Sequence, residues 1–145
     1  MDNLLGIHAT AYELLECFHI AGFALAIGMT ALVDFRLLGW GLQKESPARI
    51  ARAFEWWSLG GLVVAIFTGF LIFSTDPDMY YTNWSFLIKM ACLVVAILFN
   101  YTIHRRAIFR PWARGAARTV ACVSLALWVT VIFGGIFIAI VTPGL

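Results

Sequence analysis

Long apolar stretches alternate with short polar segments along the chain, and this pattern predicts four membrane-spanning helices. A spanning helix needs roughly 20 mostly apolar residues, and each stretch reaches that length. The predicted spans are residues 12–38, 54–73, 84–103 and 120–141. We therefore predict an all-α membrane protein in which residues 1–145 form a single four-helix bundle.

The polar segments contain residues that typically end or begin helices. "GWGLQKESPAR" holds glycines, charges and Pro47, with Ser46 as a possible cap for the second helix. "STDPDMYYTN" is a polar turn around Pro77, and Asn83 is a candidate cap for the third helix. Pro111 lies in the basic connector before the fourth span. These breaks fix the order of the predicted elements.

Composition indicates which solvent surrounds the bundle. Hydrophobic residues make up 62% of the chain and charged residues 12%, against about a quarter charged in soluble proteins. Water cannot be the solvent for most of such a surface. We therefore expect the lipid bilayer as the main partner and no nucleic acid.

The basic residues predict the orientation of the bundle. They flank the first and third loops, while the middle loop carries only Asp76 and Asp78. Because basic loops stay in the cytoplasm, both termini and the middle loop should face outward. This describes a multi-pass protein of the bacterial inner membrane with periplasmic termini. The expected inner aromatic belt is Trp40, Trp56, Trp57 and Trp112, and the outer one is Tyr12, Tyr80, Tyr81 and Trp84.

Small residues recur every four positions in three of the spans. They are Gly22, Ala26 and Thr30, then Gly61, Ala65 and Gly69, and finally Ala126, Thr130 and Gly134. One interpretation is close contact between helices of the bundle. The other is a smooth groove beside His19 that admits a flat ligand, since Gly22 and Ala26 share its helix face.

Two ionisable residues, His19 and Lys89, lie inside the spans rather than at their ends. Counted from the outer edge, both are roughly 5–8 Å deep, at one level of the membrane. Ionisable groups in a span are usually paired or functional. Lys89 could instead extend its stem to the interface or pair with Glu13 or Glu16, and His19 could bond a carbonyl or hydroxyl group. The two together favour a shared polar site.

The other two histidines lie at different depths. His8 is eleven residues before His19, which is roughly 16 Å along a straight helix, so the two cannot bind one small ion. His104 is roughly 22 Å below Lys89, near the opposite face. We expect His104 to pair with Asn100 in a structural layer whose charged surroundings include Asp34 and Glu55.

Three stretches carry a resemblance to an uncharacterised family of small bacterial four-helix membrane proteins: "FHIAGFALAIGMTALVDFRLLG", "TGFLIFSTDPDMYYTNWSFLIKM" and "LFNYTIHRR". The matching positions are His19, Asp34, Arg36, Gly69, Pro77, Asn83, Phe86 and Lys89. Relatives often close the fourth helix with a Gly-Arg pair, where this chain has Gly134 and Gly135. More distantly, the first helix resembles CopD-type copper-resistance membrane proteins and diheme b-type cytochromes. That resemblance implies that the protein binds a heme or a metal ion.

Three functions are compatible with these observations. The first is a redox, electron-transfer module near the periplasmic face that binds heme b or a quinone. His19 would be the axial metal ligand, and Met90 or the His19 of a second protomer would be the second ligand of the heme iron. Lys89, Glu16 and Gly22 would form the rest of the binding site. The second is a copper-handling protein that uses His8, His19 and Met29. The third is a cofactor-free structural or assembly subunit of a larger complex.

The first function is the one we favour from sequence. An electron-transfer or accessory role fits better than a stand-alone enzyme, because little of the chain lies outside the membrane. A homo-oligomer or partner membrane subunits are expected in any of the three cases.

Overall fold

The computed structural model describes the backbone of residues 2–141 and the side chains of residues 10–138 and 140. This part of the chain contains helices and no strand. The elements are α1 (Asp2–Leu38), α2 (Pro47–Phe73), α3 (Pro77–Tyr81), α4 (Trp84–Phe99), a π-helical turn (Asn100–His104), α5 (Arg105–Phe109) and α6 (Arg114–Val141). Four segments are long and apolar enough to cross a membrane: Thr10–Leu38, Pro47–Phe73, Trp84–Phe109 and Arg114–Ile138. The predicted all-α architecture with four spans is confirmed.

The helix starts follow the predicted capping residues. The Ser46 hydroxyl accepts the backbone N–H of Arg49 at 3.2 Å, and Pro47 occupies the first turn of α2. The Asn83 side chain accepts the N–H of Ser85 at 2.9 Å and caps α4. Both predicted caps are therefore present.

The helices extend beyond the apolar stretches at their polar ends. α2 begins at Pro47 instead of residue 54, and α6 begins at Arg114 instead of residue 120. The third span continues through the π-helical turn to Phe109 instead of ending at residue 103. Hydropathy identifies only the apolar part of a helix, whereas the backbone hydrogen bonds of the helix continue until a proline, a glycine or a capping residue ends them.

The two N-terminal spans pack through their small residues. A Cβ added at Gly61 would lie 2.6 Å from the carbonyl oxygen of Gly22, and one added at Gly22 would lie 2.9 Å from the Ala65 nitrogen. Close helix contact is thus the interpretation that holds for α1 and α2. In α6 the expectation is wrong for Ala126 and Thr130, which are exposed.

The core lies between all four spans. It consists of Ala26, Leu62, Leu93, Ala96, Trp128 and Val131. α1 packs closely on α2 and on α6, and α4 packs closely on α6. α2 and α4 meet through larger side chains, with Phe73 stacked on Phe86 at 5.5 Å between ring centroids. Tyr80, expected in the outer aromatic belt, is instead buried against both rings, whereas Tyr81 and Trp84 are exposed.

Most of the remaining apolar surface faces away from the core. Only 11% of an apolar 18-residue stretch of the third span is buried inside the protein. We call the end of the bundle with Asp76 and Asp78 the acidic end, and the end with the α1–α2 and α5–α6 connections the basic end.

Candidate functional site

His19 is held by α2 in the half of the bundle nearer the acidic end. Its Nδ1 atom lies 2.7 Å from the carbonyl oxygen of Ala65 and 3.3 Å from the hydroxyl of Thr68. Gly69 leaves the space for the ring, because a Cβ there would lie 2.7 Å from Cε1 of His19. A carbonyl oxygen only accepts, so Nδ1 carries a hydrogen, and in the neutral ring Nε2 keeps a free lone pair.

Lys89 approaches the same region from α4. Its stem packs on α6, where a Cβ added at Gly134 would lie 2.9 Å from the Cβ of Lys89. Its Nζ atom lies 5.5 Å from the centroid of the Phe23 ring, a cation–π distance. No hydrogen bond or ion pair joins this ammonium group to another described side chain, Glu13 and Glu16 included.

Phe23 connects the two groups. The His19 ring meets it edge-on, with centroids 4.9 Å apart, while the Lys89 ammonium group lies near the same ring. The histidine and the lysine thus both lie against one aromatic ring. The structure therefore brings together the two ionisable residues that the sequence placed at one depth. We call His19, Phe23 and Lys89 the acidic-end cluster.

The other residues predicted for this site have different surroundings from His19 and Lys89. Glu16 is exposed on α1, and Met90 is 39% exposed, on a different side of α4 from Lys89. Gly22 is buried against the backbone of α2 and does not border an open groove. The groove interpretation is wrong at Gly22, because α2 already fills the space beside it. Whether His19 or Lys89 binds a cofactor stays a prediction.

A second polar cluster lies fully inside the bundle at the basic end. Nε2 of His104 donates to Oδ1 of Asp34 at 2.6 Å, and the Ser124 hydroxyl donates to Oδ2 at 2.7 Å. All three residues are at most 2% exposed. We call Asp34, His104 and Ser124 the basic-end cluster.

This cluster differs from the pairing expected for His104. Its hydrogen-bond partner is Asp34, one of the residues placed at its level, and not Asn100. The π-helical turn ends at His104, and such single turns often occur at functional sites. Ser124 was not anticipated, since a serine in an apolar span carries no distinguishing signal. The available signal was Asp34, a carboxylate inside a predicted span.

Little space remains beside the basic-end cluster. A cleft of ≈ 60 Å³ borders His104 and is lined by residues of α1, α2 and α5, among them Met29, Thr30, Ser58 and Glu55. Both carboxylate oxygens of Asp34 accept a bond, one from His104 and one from Ser124. The basic-end cluster joins α1, the π-helical turn and α6.

No group of three or more metal-ligating residues forms within the described part of the chain. Of the proposed copper stations, Met29 is at the basic end beside His104, and the side chain of His8 lies outside the described residues. His19 and Met29 therefore lie at different ends of the bundle.

Comparison with known proteins identifies the family without a function. No curated protein and no solved structure matches the chain. A family model described as "Family of unknown function (DUF6644)" matches residues 3–141. That match covers nearly the whole chain, so the protein belongs to this family of unknown function.

Proposed function

We propose that the protein is a membrane-embedded redox module that binds a quinone headgroup between His19 and Lys89. The observation that carries this proposal is the pairing of a hydrogen-bond acceptor with an unpartnered donor. His19 keeps its Nε2 lone pair while Ala65 accepts from Nδ1, and Lys89 has no ion pair with a described residue although it lies inside a span.

The two groups suit both oxidation states of a quinone. A quinol O–H can donate to Nε2 of His19, and a quinone oxygen can accept from the ammonium group of Lys89. Quinol and quinone differ by two electrons and two protons. Nε2 of His19 can accept one of these protons, from the quinol oxygen that faces it. Phe23 adds an aromatic edge against which a flat ring can pack.

Heme b is the second candidate, favoured by the hydrogen bond of His19. Metal-ligating histidines usually donate one ring N–H to a carbonyl or carboxylate group, as Nδ1 does to Ala65. The described part of the chain supplies no second ligand at this cluster, since Met90 is exposed and His104 is bonded to Asp34. A six-coordinate heme would need His19 of a second protomer. Copper has less support, because His19 has no further ligand beside it among the described residues.

The cofactor is identified by its chemistry in the purified protein. The native protein in mild detergent is extracted with organic solvent, quinone is quantified per protein, and visible spectra are taken with and without dithionite. We expect bound quinone and no Soret band. A Soret band with sharp reduced bands selects heme b, and stoichiometric copper selects the metal function. A preparation without any of these supports a structural subunit and contradicts our proposal.

Three variants test the site itself. His19→Asn keeps a side-chain donor near Nδ1 but removes Nε2, and Lys89→Met removes the ammonium group while keeping an unbranched apolar stem. Both should lose the bound quinone. Lys44→Met, an exposed residue of the first loop, is the matched control and should keep it. Full quinone content in His19→Asn, or an equal loss in Lys44→Met, would contradict the assignment.

We also propose that the acidic end faces the periplasm of a bacterial inner membrane. The asymmetry of basic residues supports this orientation. In a background without Cys17, Cys92 and Cys122, a cysteine at position 78 should react with a membrane-impermeant reagent in intact cells, and one at position 114 should not. Equal reaction at both positions would contradict the orientation.

A further inference from the structure

We infer that a basic cleft at the basic end binds the phosphate group of an anionic phospholipid. The cleft has a volume of ≈ 560 Å³ and lies where α2 meets the π-helical turn and α5. Its lining residues are Arg52, Glu55, Tyr101, Thr102, Arg105, Arg106, Phe109 and Arg110. Four arginines against one glutamate give this lining a net charge of +3.

Two of the four arginines lie over one aromatic ring. The guanidinium carbons of Arg52 and Arg105 lie 5.5 and 5.3 Å from the centroid of Phe109. Stacking on an aromatic ring reduces the freedom of a guanidinium group and leaves its N–H donors available at the edge. Phe109 thus positions the guanidinium groups of Arg52 from α2 and Arg105 from α5 in the same cleft.

Most of this positive charge is not neutralised within the protein. Glu55 pairs with Arg105 at 2.5 Å. Among the described residues, Arg52, Arg106 and Arg110 have no carboxylate partner. Guanidinium groups recognise phosphate oxygens through paired N–H donors, so an anionic phosphate is the ligand that this lining complements.

The surroundings favour a lipid over a free phosphate ion. The hydroxyl of Thr102, which lines the cleft, donates to the carbonyl oxygen of Leu98, and Leu98 therefore lies one helical turn deeper in the membrane than the cleft. The Leu98 side chain is exposed. Val94 and Val95 continue this exposed apolar surface along α4. A phosphate in the cleft can therefore carry acyl chains that lie against α4. Basic pockets between spanning helices bind anionic headgroups in this way.

The test measures lipid binding by native mass spectrometry of the full-length protein in detergent. The probes are phosphatidylglycerol and phosphatidylcholine with identical acyl chains. A basic residue near an anionic lipid contributes roughly 1 kcal/mol, which is about five-fold in affinity. We expect Arg52→Gln/Arg106→Gln to weaken phosphatidylglycerol binding on the order of 25-fold, with phosphatidylcholine weak throughout.

Two further variants separate the cleft from charge in general. Arg114→Gln/Arg118→Gln removes the same charge from exposed positions outside the cleft and should change binding little. Glu55→Gln removes the carboxylate of the lining and releases Arg105, so it should strengthen phosphatidylglycerol binding about five-fold.

Four results would overturn the proposal. They are equal losses in the two double variants, equal binding of both lipids, no gain in Glu55→Gln, and displacement of phosphatidylglycerol by inorganic phosphate at equal free concentration. The gain expected from Glu55→Gln keeps the test decisive if the double variant fails to fold.

Discussion

His19 and His104 are both histidines within a span, but their bonds to the rest of the bundle are of different kinds. His104 is buried with Asp34 and Ser124, and both carboxylate oxygens of that cluster accept a bond. His19 bonds only through Nδ1, and the nearby Lys89 has no ion pair among the described residues. Polar groups that satisfy one another stabilise a fold, whereas groups with unused donors and acceptors are available to a ligand.

The largest expected effect is from Asp34→Ala at the basic-end cluster. The change leaves His104 and Ser124 buried without their acceptor, which should lower the free energy of unfolding by about 3–5 kcal/mol. Unfolding in mixed micelles titrated with SDS measures it. Asp78→Ala, an exposed carboxylate in α3, is the control and should stay within about 0.5 kcal/mol of the native protein. Equal stability of the two variants would show that the basic-end cluster is not structural.

Gly69→Ala tests whether His19 depends on the space that α2 leaves. The new Cβ would lie 2.7 Å from Cε1 of His19, so the ring must move. We expect the free energy of unfolding to fall by about 1–3 kcal/mol. We also expect the variant to lose the bound quinone. Gly60→Ala places its Cβ in open space and is the matched control. If both variants retain the ligand, His19 does not need this position.

Ser124→Ala removes one of the two bonds that Asp34 accepts at the basic end. The loss should be about 1.5 kcal/mol, smaller than for Asp34→Ala because His104 remains bonded. The same SDS titration measures it. Thr130→Ala, which truncates an exposed hydroxyl on the same helix, should cost less. The comparison fails if Thr130→Ala costs as much as Ser124→Ala.

Lys89→Met should have the smallest effect on stability, and its sign distinguishes the two clusters. No ion pair is lost, and a charge is removed from a span, so the free energy of unfolding should stay within about 1 kcal/mol of the native value or rise. A loss as large as that of Asp34→Ala would mean that Lys89 has a structural partner. Bound quinone is measured on the same preparation, so that the loss of ligand can be compared with the change in stability.

The sequence predicts the spans well because each depends only on neighbouring residues. Ser46 and Asn83 cap helices within three residues of themselves, and their positions in the chain are sufficient to identify them. The level shared by His19 and Lys89 also follows from counting residues along straight helices. These features need no knowledge of which helix faces which.

What the sequence does not predict depends on helix rotation and pairing. Asp34 is 70 residues from His104 and 90 from Ser124, and only the packed bundle brings them together. Gly22 could have bordered a groove or contacted α2, since its small size permits both. Thr130 was expected at a helix contact and is exposed, because spacing alone does not decide which side of α6 faces the core.

The packing of Lys89 on α6 also bears on how the chain enters the membrane during synthesis. Gly134, which receives the stem of Lys89, is made 45 residues after it. At about 5–20 residues per second the ribosome needs roughly 2–9 s to reach it. During that interval the ammonium group can already lie over Phe23 of α1, but the stem of Lys89 has no glycine surface to pack on. A nascent chain arrested before α6 therefore leaves this stem without its native packing surface, and we expect α4 and α6 to insert as one hairpin.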